Sequence, residues 1–285
     1  MSKNSEQKAL YNKGMFDGHD GFRLFERSWL PEGEPKAAVI IIHGYAEHSE
    51  RYTHVAEYLT RSQYAVYAFD LRMHGRSGGV KAYVKAFEDY LADMDIFIKK
   101  VRESIGKKPL FVLGHSMGGT IAVLYVIQRK TDIRGLILTG PALKLGEDIP
   151  PILIKLSGFI GAILPHLPTM KLDCSAISRD PEVIRKYDTD QLVYRGGTPA
   201  RTGAEIVKAI GIIQERMAEI TLPILIMHGT GDRLANVDGS KELYKRARSK
   251  DKALKLYEGF YHEILNEPEK EQVLRDIVAW LDAHQ

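Results

Sequence analysis

Pro109-Leu110-Phe111-Val112-Leu113-Gly114-His115-Ser116-Met117-Gly118-Gly119-Thr120 decides the fold of this chain. Residues 110–113 form a short apolar run of the kind that makes a buried strand. Gly-His-Ser-Met-Gly follows at once, and Ile121-Ala122-Val123-Leu124-Tyr125-Val126-Ile127 reads as a departing helix. G-x-S-x-G alone is a common chance match. Strand, tight turn and helix together are the context in which it carries a nucleophilic serine. Gly114 and Gly118 omit the Cβ atoms that would clash in so sharp a turn. Ser116 then projects from the carboxyl end of a sheet, beside a helix amino end. The free N–H groups and partial positive charge of that helix end favour a nearby anion.

The flanking sequence supplies the rest of the sheet. Residues 10–16 and 22–30 alternate apolar and polar around Asp17-Gly18-His19-Asp20-Gly21, the pattern of a hairpin. Residues 37–43 are almost wholly apolar, as in a parallel strand covered on both faces. Strands are also expected at 64–69 and 135–139, with helices at 52–62 and 87–105. This alternation predicts an α/β fold with a doubly wound, mostly parallel sheet flanked by helices. From 141 to 217 the alternation stops. Helical pieces at 149–164, 181–186 and 200–217 take its place, an inserted helical cap. The alternation resumes with a strand at 222–228, a helix at 239–247, a strand at 253–257 and a helix at 269–283. The expected organisation is therefore a core of residues 1–140 and 218–285 with a cap of residues 141–217.

A serine hydroxyl needs an adjacent base, and the base needs a carboxylate to orient it. On this topology both follow the serine, in the order acid then histidine, in loops at the carboxyl ends of strands. Asp232 lies in His228-Gly229-Thr230-Gly231-Asp232-Arg233, just past one strand. His262 lies in Glu258-Gly259-Phe260-Tyr261-His262-Glu263, just past the last. The rivals fit less well. Asp238 begins the next helix. Asp70 precedes the serine and suits a loop-holding role. His228 belongs to a strand and suits the core, and His115 adjoins the nucleophile with its side chain directed away. The oxyanion hole requires two backbone N–H groups. Met117, after the nucleophile, supplies one, and Tyr45, in the loop His43-Gly44-Tyr45-Ala46, supplies the other.

Composition narrows the function. The chain has 285 residues, 44% hydrophobic and 27% charged, which suits one large globular α/β unit. A net charge of +3 is too small to argue for nucleic acid. Ten histidines are scattered without metal-ligand spacing, and no Gly-x-Gly-x-x-Gly follows a strand, so neither metal nor cofactor is expected. The lone Cys174 allows no internal disulfide and suits packing in the cap and a reducing compartment. Residues 1–10 are polar and carry no secretory signal. No apolar run reaches membrane-spanning length. A cytoplasmic protein is the expectation, with peripheral membrane contact an open reading. The apolar cap residues Ile152, Leu153, Ile154, Leu156, Phe159, Ile160, Ile163 and Leu164 would line an acyl tunnel, touch a membrane surface, or pack on the core.

Five blocks in order carry a more specific signal. They are His43-Gly44-Tyr45-Ala46-Glu47-His48-Ser49-Glu50-Arg51-Tyr52, His74-Gly75-Arg76-Ser77, Gly114-His115-Ser116-Met117-Gly118-Gly119, Gly229-Thr230-Gly231-Asp232-Arg233-Leu234, and Lys255-Leu256-Tyr257-Glu258-Gly259-Phe260-Tyr261-His262-Glu263. With these the chain resembles the monoacylglycerol lipases of the α/β-hydrolase superfamily, over residues 11–281. The cap segments Leu172-Asp173-Cys174-Ser175 and Ile177-Ser178-Arg179-Asp180-Pro181 are similar too. The resemblance implies the α/β-hydrolase fold with a cap, a cofactor-free serine hydrolase acting on a small lipid ester, and a triad on Ser116, Asp232 and His262. It places the oxyanion donors on Tyr45 and Met117, and polar contacts to a glycerol head on Glu47 and Tyr187. The chain departs from the family in having Tyr45 where a small residue is frequent, which would reshape the pocket, and Gln191 where Pro is frequent. A general carboxylesterase or a lysophospholipase with the same triad is the alternative. A ligand-binding protein would gain nothing from all three groups, and dehalogenase or epoxide hydrolase chemistry needs Asp in place of Ser116.

Overall fold

The computed structural model describes residues 10–145 and 151–285, with the side chains of 151 and 153–155 outside the description. Among the described residues eight strands form one sheet: β1 (Leu10–Asp17), β2 (Arg23–Leu30), β3 (Ala37–Ile42), β4 (Tyr64–Phe69), β5 (Leu110–His115), β6 (Gly135–Thr139), β7 (Ile224–Gly229) and β8 (Lys252–Tyr257). Their spatial order is β1-β2-β4-β3-β5-β6-β7-β8. The β1–β2 hairpin and its attachment to β4 are antiparallel, and the other pairings are parallel. The fold is that of the α/β-hydrolases, as the motif order implied.

The sheet is buried on both sides, and β3 shows how the sequence achieves this. All of Ala37–Ile42 is buried. Side chains alternate across a strand, so Ala38, Ile40 and Ile42 enter one core while Ala37, Val39 and Ile41 enter the other. Helices α2 (Glu88–Ile105) and α3 (Met117–Gln128) cover the first face. Helices α1 (Thr53–Arg61) and α8 (Lys270–His284) cover the second.

The connections reverse direction at β3. From β3 the chain runs outward to β4, then returns to place β5 on the other side. Loops leaving the carboxyl ends of β3 and β5 therefore diverge and leave a crevice, the usual place for a ligand in such sheets. Those loops are the ones that carry Tyr45 and Ser116.

Between β6 and β7 lie α4 (Pro151–Ile163), α5 (Pro181–Thr189) and α6 (Ala200–Arg216). Of the expected helix at 149–164, α4 covers Pro151–Ile163; Ile149 and Pro150 lie outside the described residues. These helices do not form a uniform layer. Ala209 and Ile213 of α6, and Met217 just after it, belong to the main core, so α6 is built into the body of the molecule. Its Thr202 hydroxyl accepts from the Val84 amide and Glu205 accepts from the Phe87 amide. Gly161 lets α4 lie directly on α6, since a Cβ there would come 3.1 Å from Ala204 Cβ. Helix α7 (Val237–Arg246) follows the β7 loop, capped by the Asn236 side chain.

Candidate active site

The carboxyl end of β5 turns into α3 within one residue. Ser116 has φ 53° and ψ −120°, a strained conformation for a residue with a Cβ. The turn is forced by close packing. A Cβ on Gly118 would lie 2.1 Å from the Ile42 carbonyl oxygen, and one on Gly114 2.6 Å from the Gly118 oxygen. The Ser116 amide donates to Thr139 O at 3.1 Å, and its carbonyl accepts from Gly119, Thr120 and Ala142. The backbone is pinned, and the side chain is left at the crevice.

Asp232 and His262 come from the loops after β7 and β8 and meet beside it. Asp232 Oδ1 accepts from the Leu234 and Ala235 amides at 2.8 and 2.9 Å. Oδ2 accepts from His262 Nδ1 at 2.7 Å. Gly140 sits under this bond, where a Cβ would come 3.2 Å from His262 Nδ1 and 3.4 Å from Asp232 Oδ2. Burial opposes the charge on Asp232, but His262 and His228 overcome it and hold the carboxyl well below its usual range. Burial likewise opposes a charged His262, and Asp232 overcomes it, raising the imidazole above the ordinary 6.5. With Nδ1–H given to Asp232, Nε2 carries the lone pair and is the basic nitrogen. The His262 ring lies tilted against that of His115, the neighbour of Ser116 in the chain, with centroids 4.8 Å apart.

The loop after β3 closes the other side. A Cβ on Gly44 would lie 3.1 Å from Ser116 Cβ, so the backbone passes within contact of the serine just before Tyr45. The Met117 amide is the first of α3 and has no intrahelical acceptor. Ala46, at φ 66°, bends the loop, and its carbonyl accepts from Tyr194 N at 2.9 Å.

Glu47 lies differently from an open head-group contact. Its Oε1 accepts from Gly44 N and Tyr52 Oη, both at 2.7 Å, and Oε2 from Arg51 at 2.6 Å. Burial penalises its charge, but Arg51, His115 and His43 outweigh that and bring its pKa to about 2. The protein itself therefore occupies this carboxylate, which braces the Tyr45 loop. Arg51 continues the network to both oxygens of Glu263, at 2.6 and 2.7 Å, and its guanidinium lies over the Tyr187 ring at 4.8 Å. Tyr187 is buried, and its hydroxyl has no hydrogen-bond partner among the described residues. It lines a small pocket with Tyr45, Leu172, Cys174 and Tyr194.

The rival residues fall elsewhere. Asp70 accepts from Ser49 and from the Arg76 amide and holds its loop. Asp238 is paired with Lys241 on α7. His115 Nδ1 faces Thr139, and burial with the neighbouring His262 lowers its pKa to about 4. His228 is buried as expected, but it also reaches Asp232, a contact that its place in the strand did not reveal. The Arg51–Glu263 pair was likewise invisible, since 212 residues separate the partners. Among the described residues no group of three or more His, Cys, Asp or Glu side chains is placed to hold a metal ion.

A family model described as Serine aminopeptidase, S33 matches residues 33–269. The monoacylglycerol lipase of Mycolicibacterium smegmatis is 37% identical over 94% of this chain and 96% of its own length. The chain belongs to the monoacylglycerol lipase family of α/β-hydrolases. The monoglyceride lipase of Rattus norvegicus is 34% identical over 92% of this chain and 88% of its own. Among solved structures, the Paleococcus ferrophilus monoacylglycerol lipase is 29% identical, with a TM-score of 0.81 over 98% of this chain and 100% of that one. Ser116, Asp232 and His262 each follow the carboxyl end of a strand of this sheet, after β5, β7 and β8.

Proposed function

We propose that the chain hydrolyses monoacylglycerols to a fatty acid and glycerol through an acyl-enzyme on Ser116. The observation that carries this reading is the 2.7 Å bond from His262 Nδ1 to Asp232, made beside a serine in a strained strand-to-helix turn. Ser116 Oγ attacks the ester carbonyl while His262 Nε2 takes its proton. Asp232 fixes the tautomer and stabilises the imidazolium. The Tyr45 and Met117 amides hold the tetrahedral oxyanion, each worth about 3 kcal/mol. His262 returns the proton to the glycerol oxygen as the first C–O bond breaks. Water, deprotonated by His262, then releases the fatty acid. Tyr187, in the pocket it lines with Tyr45, offers its unpartnered hydroxyl to the alcohol part of the substrate, and Glu47 acts by holding the loop after β3.

The part of the insertion that carries α4 and α5 acts as the cap over this site, and α4 presents an apolar stripe outward. Ile152, Leu156, Phe159 and Ile163 are 58%, 42%, 66% and 59% exposed. Steps of three and four residues put them on one helix face. A lipid surface that delivers the substrate is the partner this stripe fits. Among the described residues no helix is long and apolar enough to cross a membrane. Ile160 and Leu164 flank the stripe, while the side chains of Leu153 and Ile154 lie outside the described residues.

A fluorophosphonate probe tests the nucleophile. It is expected to label the native protein at Ser116, to leave Ser116→Ala unlabelled, and to react slowly with His262→Ala. Labelling of Ser116→Ala at the native rate would place the nucleophile elsewhere. Vesicle flotation tests the stripe: the native protein is expected to float and Phe159→Asp to stay in solution, whereas a native protein that never floats removes the membrane contact.

A further inference from the structure

His228 takes no part in the acyl transfer described above, yet its ring is enclosed at the end of β7 with every ring nitrogen engaged. Nδ1 lies 2.7 Å from Ser240 Oγ on α7. Nε2 lies 3.0 Å from Asp232 Oδ2 and 3.2 Å from the Ala235 carbonyl oxygen. Both neighbours of Nε2 can only accept, so Nε2 carries the hydrogen. Nδ1 then holds the lone pair, and the Ser240 hydroxyl donates to it. Ser240 thus selects the tautomer that His228 needs in order to donate to Asp232.

From this geometry we infer that His228, locked by Ser240, is a positioning residue for Asp232, giving its carboxylate a fourth hydrogen bond and tempering the strength with which it holds His262. The inference rests on the triad reading above. The Leu234 and Ala235 amides take Oδ1, and the two imidazoles share Oδ2. A donor on Oδ2 withdraws electron density that would otherwise stabilise the His262 imidazolium. The other groups facing His262 are Glu263 and Glu47, which favour its charged form, and His115, which stays neutral above about pH 4. None of these touches Oδ2, so His228 is the neighbour whose removal acts on the Asp232–His262 bond directly. A chain Ser240–His228–Asp232–His262 then links α7 to the catalytic base through four side chains drawn from α7, β7 and the loops after β7 and β8.

The test uses the intact protein and a soluble short ester, so that delivery from a lipid surface does not enter. Three variants are compared with the native chain: His228→Phe, Ser240→Ala and His228→Gln, whose carboxamide N–H can reach the same oxygen. For each, the folded fraction, the acid limb of kcat/KM against pH and the low-field proton resonance of His262 Nδ1–H are measured. Removing the donor strengthens the remaining Asp232–His262 pair and raises the His262 pKa. The acid limb is therefore expected to move up by roughly half to one pH unit in His228→Phe, with kcat falling about tenfold or more from lost alignment. The low-field resonance is expected to shift with it. Ser240→Ala is expected to move the limb the same way by less, and His228→Gln to bring it back toward the native position. Space-filling alone would give the opposite result: an unmoved limb and resonance, with activity lost only as the folded fraction falls. Should His228→Phe fail to fold, an unmoved limb and resonance in Ser240→Ala overturns the inference. Full activity in an Asp232→Asn control would instead sink the triad reading on which it rests.

Discussion

Asp232 and His262 set the lower pH boundary of the reaction. His262 must be neutral to accept the Ser116 proton, and its pKa lies above the ordinary 6.5 because Asp232 outweighs the effect of burial. Activity is therefore full above that raised value and lost as the pH falls through it. Asp232 is held well below its usual range and stays ionised throughout. Asp232→Asn removes the source of the shift, so its acid limb should appear at lower pH than the native limb. Its kcat should fall by about 10⁴-fold through the wrong tautomer. A pH–rate profile checks both, and an unmoved limb would show that Asp232 does not govern His262. The three residues were legible in the sequence because each follows a strand within a short glycine-rich turn. Glu47 was harder to read. Its type and place in the motif matched a head-group contact, but Gly44 N–H, Tyr52 and Arg51 consume its carboxylate, which only the folded loop discloses.

At the scale of elements, the elbow depends on how closely β3 and α3 approach. A Cβ on Gly118 would press on the Ile42 carbonyl oxygen from 2.1 Å, and the nearest atoms it meets are all backbone of Ile42 and His43, which cannot swing aside as a side chain would. Gly118→Ala should destabilise the protein by about 3 kcal/mol or more, read as a fall in the urea midpoint at unchanged slope. Stability within error of the native value would mean that the elbow can relax. Strands and helices were legible almost throughout, since short apolar runs such as 37–42, too short for a buried helix and bounded by turn residues, read as strands covered on two faces. The place of α6 was not. Its sequence reads as one more cap helix, and only the packing of Ala209 and Ile213 puts it in the main core. Amphipathic periodicity says that a helix has a buried face, not which neighbour buries it.

The whole molecule is tied together across its crevice by Arg51, which joins the loop after β3 to the loop after β8 through Glu47 and Glu263. All three side chains are at most 11% exposed. Arg51→Met leaves two buried carboxylates without their cation and should cost about 3–5 kcal/mol, measured by urea unfolding. The network also makes stability depend on pH. The Glu47 pKa falls from 4.5 unfolded to about 2 folded, so its contribution is complete above about 4.5 and is lost as the pH falls from there toward about 2. The native protein should lose stability through that window, and Arg51→Met should lose much less. Equal losses in both would show that Arg51 is not what depresses Glu47.

Ester cleavage of monoacylglycerols at Ser116 is the claim on which the other roles depend. Fatty-acid release from mono-, di- and triacylglycerols and from short p-nitrophenyl esters, with Ser116→Ala alongside, tests it most directly. The expected result is strong preference for monoacylglycerols in the native chain and no turnover of any substrate by Ser116→Ala. Turnover confined to the short esters would contradict the assigned substrate and make the chain a general esterase. Monoacylglycerol turnover that survives in Ser116→Ala would contradict the mechanism itself.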